Sequence, residues 1–373
     1  MSDPIPLLDL KAQIASIRSE LDAAVAEIFD TGAFVLGKNV ESFEEQFAEA
    51  TGAAYAIGVN SGTDALMLAL TALRRTRGPG SVVTTPFTFF ATAESVLQAD
   101  LELRFADIED ESFNLDPAAA HAAAAPDTIA VLPVHLFGAC ADIDALRIGD
   151  AAILEDAAQA IGATYKGQKA GGLGLAAAFS FYPTKNLGAA GDAGAITTND
   201  EEFRDRMRSL RAHGEKRSEG ARTYHYEEIG YNSRLDGLQA AVLRVKLKHL
   251  PAWQERRTSN AAFYDEALSG IDGVRPPARA AFGEHVYHQY AIRSDRRDDL
   301  VAHLREQGIG TNVFYPEPLH LSPALSHLGF KEGQFPVAER ASREVMSLPV
   351  HESLTEAQRE RIASTIRAFF GAA

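Results

Sequence analysis

The sequence predicts an α/β fold: a mostly parallel, doubly wound sheet followed by a smaller C-terminal α+β unit. Three observations carry this. Between residues 55 and 210, apolar β-type runs alternate with helical stretches, the order that parallel strands with crossover helices produce. Most of those runs are apolar on both alternating faces, as strands covered on both sides are. After about Gly230 the alternation gives way to a long amphipathic helix and then to mixed pieces.

The elements follow in order. The first thirty residues read as helix, because Ile14, Ile17, Leu21, Val25 and Ile28 recur at three- and four-residue steps and Thr31-Gly32 supplies a stop. Strands are predicted at Tyr55–Val59, Val82–Thr85, Leu101–Ile108, Thr128–Phe137, Ala152–Glu155, Ala177–Tyr182 and Ala195–Thr198. Helices are predicted at Ala65–Leu73, Thr92–Ala99 and Phe203–Leu210, and at the alanine-rich Ala118–Ala125, since Ala has the best helix propensity. Leu238, Ala241, Val242, Val245 and Leu247 mark a helix over Leu235–Leu250 that is expected to stop at Pro251. The pieces beyond it run through to Ile362–Phe370. The domain expectation is 1–245 for the large unit, N-terminal helix included, and 246–373 for the small one.

Composition narrows the function classes. With 36 basic and 51 acidic side chains in 373 residues, 36 − 51 gives a charge of −15, which argues against general phosphate-backbone binding and so against nucleic acid. A local basic cluster could still bind one anion. A hydrophobic share of 46% with 23% charged residues excludes a disordered or fibrous chain. The longest apolar stretch, Ala118 to Cys140, is broken by His121, Pro126, Asp127 and Pro133, so no run reaches the roughly 20 residues that span a bilayer. The opening MSDPIPLLDLKAQ lacks a basic segment followed by an apolar core, and the single Cys140 excludes an internal disulfide. A cytoplasmic protein is expected.

In an open parallel sheet, ligands bind at the carboxyl ends of the strands. Three segments lie there. Asn60-Ser61-Gly62-Thr63-Asp64 precedes the helix Ala65–Leu73, with Gly62 allowing close backbone approach and Ser61 and Thr63 offering hydroxyls. It reads equally as an anion cradle or as a plain helix cap. Glu155-Asp156-Ala157-Ala158-Gln159 ends an otherwise apolar strand and puts a carboxylate by the crevice; a surface helix cap is the alternative. Phe179 to Gly188, running into Gly191-Asp192-Ala193-Gly194, holds Lys185 in a Gly-rich turn, where burial lowers an amine's pKa and makes it a usable nucleophile. A solvated loop lysine is the alternative. Taken together, an anion-binding helix start, a strand-end Asp and a Gly-flanked Lys meet the needs of pyridoxal 5′-phosphate: a phosphate cradle, a carboxylate for the ring nitrogen and an amine for the aldehyde.

The motifs SGTDAL, TPFTFFAT, VHLFG, EDAAQA, FSFYPTKNLGAAGDAG and GYNSRLDGLQAA stand in order along the chain. On these, and from IPLLDLKAQ to LPVHESLT, the chain resembles the sugar aminotransferases of the DegT/DnrJ/EryC1/StrS family, with the fold of type I pyridoxal-phosphate transferases. The resemblance implies that Lys185 takes the cofactor's aldehyde, that Asp156 pairs with the ring nitrogen and that Gln159 lies near the ring 3′-hydroxyl. It implies Phe89 stacked on the ring, with Phe87 and Phe90 as core residues. Gly62, Thr63 and Ser180 match phosphate-binding positions. Asn232 matches a phosphate ligand given by the other subunit, which implies a homodimer with shared sites. Arg234 could hold a substrate carboxylate or phosphate, and Tyr315 and His320 are candidate substrate contacts that could equally be packing residues.

The activity implied is transfer of an amino group, with glutamate as the usual donor, to a nucleotide-linked keto sugar. NLGAAGDAG, IPLLDLKAQ and HGEKR look like members that aminate C3 of a 3-keto sugar. A C4 aminotransferase of a 4-keto-6-deoxy sugar, an amino-cyclitol aminotransferase and a cofactor-binding regulator are the alternatives. Phe314 stands where many relatives have His, and it cannot donate a hydrogen bond to a sugar.

Other chemistries fit less well. Gly172-Leu173-Gly174-Leu175-Ala176-Ala177 matches G-x-G-x-x-A but leads into a strand-like run, whereas a dinucleotide fingerprint follows a strand and opens a helix. Members that dehydrate sugars replace the lysine with histidine. His285 and His288 lack a carboxylate or thiolate cluster that would make a metal site.

Overall fold

The computed structural model describes residues 3–218, 221–279 and 282–371. Its strands are β1 (Tyr55–Val59), β2 (Ser81–Thr84), β3 (Glu102–Phe105), β4 (Thr128–Val131), β5 (Ala152–Asp156), β6 (Thr164–Tyr165), β7 (Gln168–Lys169), β8 (Ala176–Ser180), β9 (Gly194–Thr198), β10 (Glu215–Ser218), β11 (Ala221–Tyr226), β12 (Tyr290–Arg293) and β13 (Val345–Leu348). A seven-stranded sheet is ordered β1-β9-β8-β5-β4-β2-β3, and β9 alone runs against its neighbours. β2, β5 and β9 are buried at every residue, which is why both of their faces are apolar in sequence. Asp156, at the end of β5, is the polar exception that the sequence placed at the crevice.

Three of the predicted strands end earlier than their apolar runs: β3 at Phe105 rather than Ile108, β4 at Val131 rather than Phe137, and β8 at Ser180 rather than Tyr182. β4 stops at Val131, and Pro133, which has no N–H, follows it; the chain then pairs again with the end of β5 through Asp156 N–H on Pro133 O (2.9 Å) and His135 N–H on Asp156 O (3.0 Å). Phe137 then takes a left-handed conformation (φ 58°). The N-terminal helix is two, Leu10–Ser16 and Arg18–Thr31, parted at Ile17 and closed by Gly32 at φ 65°.

Pro251 does not stop the long helix. It runs from Gly237 to Ala267 with Pro251 inside. A proline in a helix interior costs about 3 kcal/mol. Beyond it, however, Trp253, Arg257, Asn260, Ala261 and Tyr264 are all buried, so tertiary packing holds the continuing turns. Ala261 and Tyr264 join a second apolar core with Tyr290, Ile292, Met346, Leu348 and Ile362. Ile5, from the other end of the chain, belongs to that core as well and pairs with Ile309. The proposed division at 245 and 246 thus falls within one continuous helix. No helix among the described residues is long and apolar enough to cross a membrane.

Candidate active site

The carboxyl ends of β1, β2, β5 and β8 carry the polar residues singled out in the sequence. After β1, Ser61 caps the helix Gly62–Arg77 by accepting from Asp64 N–H at 3.1 Å. This sixteen-residue helix directs free N–H groups and a positive dipole end at the crevice. Its first turn is pressed against the end of β8, and a Cβ on Gly62 would lie 2.7 Å from Ser180 Cβ. Ser61 is therefore a cap, and the same geometry sets Gly62, Thr63 and Ser180 side by side.

Asp156 is buried and partnered. Its Oδ2 accepts from the Thr92 hydroxyl at 2.8 Å, and Oδ1 accepts from Ala158 N–H at 3.2 Å. Thr92 is itself 3.1 Å from the Thr88 hydroxyl. Burial pushes the Asp156 carboxyl above the usual range, while these bonds and the positive charge of Lys185 pull it back. Its neighbour Glu155 alternates to the other face of the strand. Glu155 accepts from Gly171, Leu173 and Gly174 N–H (2.9, 2.8 and 3.0 Å) and meets His135 Nε2 at 3.0 Å. Ala141 N–H donates to His135 Nδ1, so the ring proton is on Nε2 and is given to Glu155. The loop that resembled a dinucleotide fingerprint is thus anchored by Glu155.

Lys185 follows β8 in a tight turn closed by Lys185 N–H on Tyr182 O and Ala189 N–H on Phe181 O, both 2.8 Å. A Cβ at Gly188 would fall 2.3 Å from Pro183 O, so only glycine closes the turn. Burial lowers the Lys185 amine to about 8, with the Asp156 charge opposing. Asn186, next to it, donates to Val286 O (3.0 Å) and faces His288 Nδ1 (3.2 Å). His288 is thereby a buried neutral ring whose pKa burial drives well below its usual value. His285 is likewise neutral, lowered by burial to about 3. No group of three or more metal-ligating side chains occurs among the described residues.

Phe89 is 61% exposed, at the start of the helix Phe90–Gln98, while Phe87 is fully buried and Phe90 packs on the core. Gln159 accepts from Phe137 N–H (2.8 Å) and donates to the Tyr315 hydroxyl (3.1 Å). Asn232 is exposed and Arg234 half-buried, and neither makes a side-chain hydrogen bond among the described residues. Their loop is tied to the helix start through Ser233 Oγ, 3.3 Å from Asn60 Oδ1.

His320 does not join this group. It is 2% exposed, its Nε2 lies 3.0 Å from Glu339 Oε1, and its ring packs on Phe335. Of the two readings of His320, substrate contact or packing residue, this placement favours packing: the short turn Leu319–Leu321 tucks the ring into the interior. Sequence reasoning also missed Thr92 as the partner of Asp156, although it closes the TPFTFFAT motif. A cavity of about 770 Å³ lies elsewhere, between Glu41, Tyr55, Arg208 and Arg211. A small one of about 170 Å³ is bounded by Thr184, His288, Asn312 and Phe314, beside Lys185.

The donor set fits pyridoxal 5′-phosphate: a half-buried amine, a buried carboxylate, a helix start closed to any side chain at Gly62, and a large exposed aromatic at Phe89. Comparison agrees. The sequence profile described as the DegT/DnrJ/EryC1/StrS aminotransferase family matches residues 15–367. A pleiotropic regulatory protein of Geobacillus stearothermophilus is 44% identical over 98% of both chains. The dTDP-3-amino-3,4,6-trideoxy-alpha-D-glucose transaminase of Streptomyces venezuelae is 43% identical over 97% of this chain and 95% of its own. The crystal structure of S. venezuelae DesV in complex with a ketimine intermediate superposes with a TM-score of 0.93 over 100% of both chains, at 41% identity.

Proposed function

Since the chain belongs to the DegT/DnrJ/EryC1/StrS aminotransferase family, we propose that it moves an amino group from L-glutamate to C3 of a nucleotide-linked 3-keto sugar. It is a pyridoxal 5′-phosphate-dependent sugar aminotransferase. When bound, the cofactor supplies an electron sink and carries the amino group between the two substrates. The chain's own residues do the rest. Lys185, lowered to about 8, holds an appreciable neutral fraction at neutral pH, so it can attack a carbonyl and afterwards move a proton at the substrate carbon. Asp156 would hold a proton on the ring nitrogen, and Thr92 fixes the carboxylate for that task. The helix start at Gly62 and Thr63, with Ser180, would take the phosphate, and Phe89 would cover the ring. Asn232 would complete the phosphate site of a partner subunit in a homodimer, with Arg234 nearby for a negative group of either substrate.

The observation that carries the reading is the pairing of a burial-lowered amine at Lys185 with a hydrogen-bonded buried carboxylate at Asp156. The C3 position is supported by the 3-amino product in the name of the Streptomyces transaminase. A cofactor-binding regulator is the second reading, favoured by the name of the Geobacillus relative. One experiment separates them. The pyridoxamine-loaded protein is mixed in turn with nucleotide-linked 3-keto and 4-keto sugars and with a keto-cyclitol, following loss of the pyridoxamine absorbance. Rapid loss with a 3-keto sugar, giving the C3 amine, supports the proposal. Turnover of another class would move the assignment, and no loss with any would favour the regulator.

A further inference from the structure

We propose that Tyr315 is a positioning residue that fixes the amide of Gln159 toward a ring oxygen of the bound cofactor, in place of the substrate contact expected from sequence. The proposal rests on the family reading above.

The orientation of Gln159 is settled by its partners. A backbone N–H can only donate, so the atom 2.8 Å from Phe137 N is Oε1, and the end at Tyr315 is Nε2. Nε2 carries two hydrogens. One meets the Tyr315 oxygen, and the other has no partner among the described residues. Gln159 is three residues beyond Asp156, the last residue of β5, so its amide stands at the carboxyl end of that strand, with one hydrogen left for a ligand there.

Both anchors of that amide are rigid. Phe137 presents its N–H from a left-handed backbone at φ 58°, a costly conformation for a bulky residue that surrounding structure must hold. Asn114 supplies that hold: buried, it accepts from Leu136 N–H (3.0 Å) and donates to Ala139 O (3.3 Å), bracketing Phe137 on both sides. The Phe113 ring meets Phe137 at 5.5 Å. On the other side, Tyr315 sits edge-on to Phe87 at 6.1 Å, and its segment is pinned by Leu319 N–H on Pro86 O at 2.7 Å. Burial keeps the Tyr315 hydroxyl protonated, so its oxygen remains an acceptor for Gln159.

A donor on the cofactor's ring oxygen competes with that oxygen's hold on the proton of the nitrogen joined to Lys185. Loss of the donor raises the pH at which that proton leaves. The test is a pH titration of the bound cofactor's absorbance in holoenzyme of wild type, Tyr315→Phe, Gln159→Ala and the double variant. The expected midpoint rises on the order of half a unit in Tyr315→Phe, as for one hydrogen bond weakened. It rises at least as far in Gln159→Ala, and no further in the double variant, since Tyr315 acts through Gln159. An unchanged midpoint in Tyr315→Phe with a raised KM for the sugar overturns the proposal, as does an additive double variant. Failure of the family reading shows separately, because borohydride would then fix no cofactor on Lys185 of the wild type.

Discussion

The Thr92 hydroxyl donates to Asp156 Oδ2 at 2.8 Å, across sixty-four residues of chain. The carboxylate is thus held at both oxygens, and its remaining lone pairs are free for one ligand proton. Asp156→Asn is expected to fold normally and lose on the order of 10²-fold or more in transamination rate, because an amide cannot hold the ring nitrogen protonated. Thr92→Val, which keeps the volume but removes the bond, should lose less, about 10-fold, the low end of the roughly 1.5–3 kcal/mol of a hydrogen bond to a charged group, because Asp156 keeps its charge and its bond from Ala158 N–H. Steady-state kinetics with circular dichroism check both. An Asp156→Asn enzyme within a few-fold of wild type would leave Asp156 as a helix cap.

Lys185 gives a pH-dependent stability. Its folded pKa of about 8 lies below the 10.5 of an ordinary lysine. Between those values the unfolded chain binds more protons, so stability rises with pH there. The cost of holding the amine is full below about pH 8 and fades as pH approaches 10.5. In the cofactor-free protein, Lys185→Met should therefore be stabilising by about 1–3 kcal/mol at pH 7, and the gain should vanish near pH 10.5. Thermal melts at several pH values measure it. A gain that is independent of pH would mean that the amine is not desolvated.

Gly62 tests the cradle. A Cβ there would stand 2.7 Å from Ser180 Cβ and 3.1 Å from Ser180 Cα, so the helix start and the end of β8 must part. Such overpacking costs about 1–3 kcal/mol. That cost outweighs the better helix propensity of Ala, about 1 kcal/mol. Gly62→Ala is expected to bind pyridoxal 5′-phosphate about tenfold or more weakly, measured by cofactor fluorescence during dialysis. Unchanged affinity would show that the phosphate does not use this turn.

The strand-helix alternation was legible because burial on both faces writes itself as continuous apolar runs, and each ligand-side motif follows one of those runs. Asp156 stood out as a polar residue ending a buried strand, and Lys185 as a lysine in the Gly-rich turn that follows β8. What failed or stayed open was set by distant packing. Pro251 reads locally as a stop, yet Trp253 and Tyr264 bury the turns beyond it. His320 lies five residues from Tyr315 but is turned inward onto Glu339 and Phe335, and no local pattern marks that. The partnerships of Thr92 with Asp156 and of Gln159 with Tyr315 join segments far apart in sequence, so only the fold displays them.

Asn232 carries the last prediction, a homodimer with shared sites. The segment Gly230-Tyr231-Asn232-Ser233-Arg234 precedes the helix Gly237–Ala267, and Ser233 ties it to Asn60 beside the cradle. Asn232 is exposed and its side chain has no hydrogen-bond partner among the described residues, so it is free to serve a ligand on either subunit. A two-fold axis makes any loan reciprocal. Inactive Lys185→Ala subunits are mixed with inactive Asn232→Ala/Arg234→Ala subunits. If sites are shared, half the dimers formed by random exchange are hybrids, and each has one site with both native contributions. Activity should then return to about a quarter of wild type. If Asn232 serves its own chain, every site in the hybrid lacks one contribution and nothing returns. Subunit exchange is verified by native mass spectrometry, so silence after proven exchange defeats the shared site and a purely monomeric species defeats the dimer.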